Sequence, residues 1–82
     1  MKAMETKAGI PVPDDLAAAL QGDPTVLMMW GKLRPSCQRR YVEHLLEAKK
    51  PETRQRRVGA VLRMTTEWYL RHYPNPNMQE NL

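Results

Sequence analysis

Apolar residues recur along the chain at helical spacing, and no stretch shows the sustained alternation of β-branched residues that marks a strand. DDLAAALQGD puts Leu16, Ala17 and Leu20 on one short face; Asp14 is its expected cap, Asp15 suits the positive first turn, and Gly22 ends it. A second helix restarts at once, with Asp23 as cap and Pro24 at the first position, where its missing N–H costs nothing. Pro35 begins a third, PSCQRRYVEHLLEAKK. Its Cys37, Tyr41, Leu45 and Ala48 form a stripe widened by Val42 and Leu46, with Lys49 and Lys50 in the last turn. Pro51 breaks that helix and starts a fourth, which turns Val58, Val61, Leu62, Thr65, Trp68 and Tyr69 inward and stops before Pro74. The pattern predicts an all-α fold, a small bundle of three to four helices. A flexible N-terminus is expected over residues 1–11, a helical domain over 12–73 and a C-terminal tail over 74–82.

The second helix carries more apolar surface than one face can use. Val26, Leu27, Met28, Met29 and Trp30 are consecutive, and five residues at about 100° each wrap the whole circumference. Some of them must cover another element or stay exposed. Met28, Met29 and Trp30 are therefore the expected partner surface.

Size and composition narrow the class. At 82 residues the chain supports one small core, and 41% hydrophobic with 27% charged residues suits a globular domain. One cysteine permits no internal disulfide, so packing must hold the fold, and a lone thiol fits a reducing compartment. The N-terminus lacks the apolar run of a signal peptide, and the longest apolar run falls far short of a bilayer span, so a cytoplasmic protein without membrane insertion is expected.

Charge changes the picture further. Between Lys32 and Arg63 ten Lys or Arg stand against three acids (Glu43, Glu47, Glu52), whereas the rest of the chain has three bases and six acids. The basic patch comprises Arg39, Arg40, Lys49, Lys50, Arg54, Arg56 and Arg57. It can steer an anionic partner or form the solvated corner of a helical pair. Helical spacing pairs Glu52 with Arg56 and Glu47 with Lys50, and exposed pairs of this kind are worth only ~0.2–0.5 kcal/mol each. Arg54 and Arg57 share a helical side while Arg56 points elsewhere, so a phosphate-binding face is interrupted.

Catalytic chemistry finds little support. Cys37 and His44 are the one nucleophile–base combination, but on one helix they lie ~10.5 Å apart along the axis, beyond hydrogen-bond reach. Neither His44 nor His72 has companions at metal-ligand spacing, and there is no Gly-rich phosphate loop. Glu43 and Glu47 are more simply read as partners for Arg39, Lys50 or the following helix. No enzyme activity, cofactor, metal or small-molecule substrate is expected.

The motif order carries a resemblance. IPVPDDLAAAL, then Trp30 and Leu33, then PSCQRRYVEHLLEAKKPETRQRRVGAVLRM resemble the YdeI/OmpD-associated family, also called bacteriocin-protection or OmdA-like, over residues 10–64. Arg40, Tyr41 and Val42, followed by EAKKPETRQRR, are its most specific part. Arg34 stands where the pattern usually has a Ser or Thr cap, and His44 where an aromatic is common; residues 68–82 extend beyond the motif. The resemblance implies a compact helical module, with a link to an outer-membrane porin and to antimicrobial-peptide resistance, and brings no catalytic residues. The reading is a small non-catalytic protein-interaction module that docks on a protein partner or forms a homodimer. The alternative is sequence-nonspecific nucleic-acid binding through the basic region over residues 39–57.

Overall fold

The structure is a computed structural model that describes residues 4–73. Four helices follow one another: α1 (Asp14–Gln21), α2 (Pro24–Lys32), α3 (Pro35–Leu46) and α4 (Pro51–His72). The fold is all-α, as the periodicity predicts. The expected tail over residues 74–82 lies outside the described residues.

Proline and aspartate set the starts. Pro24, Pro35 and Pro51 each take the first helical position. Asp23 Oδ1 accepts from Val26 N over 3.3 Å, the expected cap of α2. Asp14 does not cap α1. The capping position falls on Pro13, and Asp14 already lies inside the first turn beside Asp15, where both carboxylates favour the positive end of the helix dipole. Helix α3 is shorter than its stripe suggests, because it ends at Leu46. Ala48 is buried from the connector instead, and Lys49 and Lys50 belong to that connector rather than to a last helical turn.

Helix α4 is the spine, packing against α1, α2 and α3, while α1 also packs on α2. Leu16 and Leu20 from α1, Trp30 and Leu33 from α2 and its end, Val42 and Leu45 from α3, and Val61 from α4 meet with Val12 in one core. Thr65 is fully buried within α4, and its hydroxyl donates to the Val61 carbonyl over 2.8 Å, so no polar atom is stranded there.

Residues 1–11 are read from sequence as a flexible N-terminus; residues 4–11 instead form a hydrogen-bonded strap. Thr6 N donates to Ile10 O (2.8 Å), Val12 N to Met4 O (2.9 Å), and the Thr6 hydroxyl accepts from the amides of Ala8 and Ile10. Gly9 makes the tight return possible with φ of +80°, a conformation that costs an L-residue roughly 1–2 kcal/mol. Thr6 is buried, and Lys7 N reaches across to Gln38 Oε1 over 2.9 Å. The polar composition of the strap hid these bonds, since its contacts are made largely by backbone amides.

Candidate partner-binding surface

The expected partner surface on α2 is mostly core. Trp30 is 3% exposed, with its ring centroid 6.5 Å from that of Tyr41, and Met29 is 8% exposed. Only Met28 stands out, at 44%. The circumference argument holds geometrically, but α2 is clasped by both α1 and α4, so the surplus is used inside the subunit. Met29 and Trp30, expected at a partner surface, are instead core residues.

The basic patch divides into engaged and free members. Arg54 Nε lies 2.8 Å from Asp15 Oδ2; that N–H is poorly aimed, and the aligned hydrogen bond runs from Arg54 Nη2 to Asp15 Oδ1 at 3.3 Å. Arg57 donates to the His44 carbonyl over 2.8 Å and sits 3.5 Å from Glu47. Arg39 pairs with Glu43 one turn along at 3.1 Å. Arg54 and Arg57 thus fasten α4 to α1 and α3. Arg40, Lys49, Lys50 and Arg56 are exposed and make no ion pair among the described residues. The sequence-based pairs of Glu52 with Arg56 and Glu47 with Lys50 do not form within 4 Å, and Glu47 is taken by Arg57 instead.

Sequence patterning misses an open groove at the end of α3. Leu46, assigned to the inward stripe of α3, is 54% exposed. It forms one wall of an open groove of about 720 Å³ together with Ile10, Pro11, Val12 and Pro13, and the paired Arg54 and Asp15 close one end beside Asp14. The groove forms where the chain leaving the strap, Ile10 to Pro13, comes near Leu46 at the end of α3. Pro11 and Pro13 have no N–H to offer, so that wall presents apolar rings rather than backbone donors. Beyond the ion pair, Pro51, Gln55 and Val58 line a smaller recess with the same Asp15 and Arg54. The signal available in the sequence was the alternation of Ile10 and Val12 between prolines, which marks an extended apolar edge.

The chemistry of the remaining groups is modest. Cys37 is half-buried. Burial pushes the Tyr41 hydroxyl above its ordinary pKa of 10.0, with Cys37 and Glu67 acting in the same sense and Arg40 and Arg71 opposing. Among the described residues, no three His, Cys, Asp or Glu side chains come together as metal ligands, and no helix is long and apolar enough to cross a membrane.

The bacteriocin-protection, YdeI or OmpD-associated family (OmdA) matches residues 10–67, well over half of the chain. The chain belongs to that family. No curated protein and no solved structure gives a significant match. The OmdA span begins at Ile10, in the groove wall, and so takes in both walls of the groove. It leaves out the first part of the strap, residues 4–9, and the last turn of α4.

Proposed function

We propose that this OmdA-family domain is a non-catalytic protein-interaction module, acting in the cytoplasm, whose docking surface is the groove between the strap and the end of α3. The observation that carries the reading is the exposure of Leu46 at 54% in an apolar channel, while the other large residues of the α3 stripe are buried or packed against the core. An exposed leucine alone is unremarkable; one set among Ile10, Pro11 and Pro13 makes a concave apolar strip of the sort that partner side chains fill. The family's names connect such a module with protection against bacteriocins and association with a porin, so a role in envelope stress or antimicrobial-peptide resistance is part of the proposal.

Nucleic-acid binding is the second reading, supported by Arg40, Lys49, Lys50 and Arg56. Three of the seven patch members are spent on internal pairs, which leaves fewer contacts for a phosphate backbone.

A photocrosslinking residue placed at Leu46, and separately at Met28, tests the proposal in the native host. Discrete adducts from position 46, weakened by Pro11→Glu, and none from position 28 are expected. An adduct of twice the protomer mass identifies a second copy as the partner. Equal adducts from both positions, or none from 46, would refute the groove as the docking surface.

A further inference from the structure

We infer that the occupant of the groove is a protein segment with an apolar centre and acidic flanks, its acids directed toward the corner between α3 and α4. This rests on the docking reading above and names the chemistry of the partner. The two walls nearest that corner are Leu46, at the end of α3, and Arg54, in the first turn of α4. The connector of residues 47–50 joins them, so Lys49 and Lys50 lie along the chain between two lining positions, and Arg54 N donates to Lys50 O over 2.9 Å as α4 opens.

Charge on that edge is one-sided. Glu47 is taken by Arg57 and Arg54 by Asp15, which removes those four groups from the account. Lys49 and Lys50 remain exposed on the connector, whereas Arg56 and Glu52, each two residues from Arg54, lie on another side of α4. Among the lining residues Asp14 is the one charge outside the Arg54–Asp15 pair, so the groove itself is apolar with an acid at the start of α1, and the free positive charge lies just beyond the lining, on the connector that follows Leu46. A segment that buries Leu- or Phe-like side chains against Leu46 and Ile10 meets complementary charge only if its acids lie over Lys49 and Lys50. Apolar burial supplies most of the affinity in such an arrangement, while the exposed charges set orientation and speed of encounter.

The test selects short random peptides, displayed one sequence per particle, on the full chain. Enriched peptides should hold Leu, Ile, Phe or Trp flanked by Asp or Glu, and the consensus peptide should bind more weakly as salt rises. Leu46→Asp, an exposed position, should weaken that peptide ~tenfold or more with the helical circular dichroism unchanged. The double variant Lys49→Glu with Lys50→Glu should weaken it several-fold and, when selected afresh, enrich Lys and Arg instead. Enriched peptides without acidic bias, or binding that ignores the two lysine changes yet fails with Leu46→Asp, overturn this inference and leave groove docking standing. Binding indifferent to Leu46→Asp, or no enrichment at all, removes both. A random single-stranded RNA that binds through Lys49 and Lys50 regardless of Leu46 also overturns it, in favour of a polyanion at the corner.

Discussion

Gln38 Nε2 donates to the Trp30 carbonyl over 2.8 Å in a site closed to solvent, while Oε1 of the same side chain accepts from Lys7 N. One buried amide therefore joins the end of α2, the body of α3 and the strap. Gln38 is 2% exposed, and both ends of its amide are satisfied, which is why a polar residue persists at a core position. Gln38→Ala should cost about 1–3 kcal/mol, because a buried donor and acceptor lose their partner. Urea unfolding gives the energy, and amide exchange at Lys7 should accelerate ahead of the helices. Unchanged exchange at Lys7 would mean that the strap is held elsewhere.

Trp30 and Met28 separate core from surface on α2. Trp30→Ala should destabilise by about 3–5 kcal/mol, since it empties a ring-sized volume among Leu16, Leu33 and Tyr41 neighbours of the core, whereas Met28→Glu should stay within about 0.5 kcal/mol of the parent. Thermal unfolding of the two variants side by side decides it.

Much of the architecture was legible in the sequence for identifiable reasons. Pro24, Pro35 and Pro51 mark helix starts because φ is fixed and no donor is lost, and Val61 with Thr65 follows the 3.6-residue period. Periodicity ranks faces within one helix but does not say how many neighbours a helix has. Met29 and Trp30 therefore read as surplus when α1 and α4 both needed them, and Leu46 read as core when α3 ended beneath it. Gln38 was invisible for a different reason: its burial depends on a backbone amide 31 residues away. The groove combines these two failures, since its walls come from a strap that looked loose and a leucine that looked buried.

The pairing of Arg54 with Asp15 ties α4 to the start of α1, and both side chains keep appreciable exposure, at 29% and 40%. A double-mutant cycle with Asp15→Ala and Arg54→Ala should give a coupling of up to about 1 kcal/mol that shrinks as salt is added. A coupling that is zero at low salt would show that the pair does not help to close the groove's end.

Tyr41 provides a pH signature. Its hydroxyl is held above the ordinary 10.0, chiefly by burial, so the folded state keeps the proton to higher pH than the unfolded chain does. The resulting stabilisation is complete below the unfolded value near 10.0 and is lost as pH rises through the folded one. Stability measured across that alkaline window should fall more steeply for the parent than for Tyr41→Phe. Parallel curves would indicate a freely solvated hydroxyl.

Backbone amide chemical shifts, followed by nuclear magnetic resonance while the selected acidic–apolar peptide is titrated in, test the docking surface most directly. The account predicts that the largest changes fall at Ile10, Val12, Leu46 and the connector through Arg54, with the amides around Met28 and Gly31 unmoved. Changes centred on α2, with the strap and Leu46 silent, would contradict it.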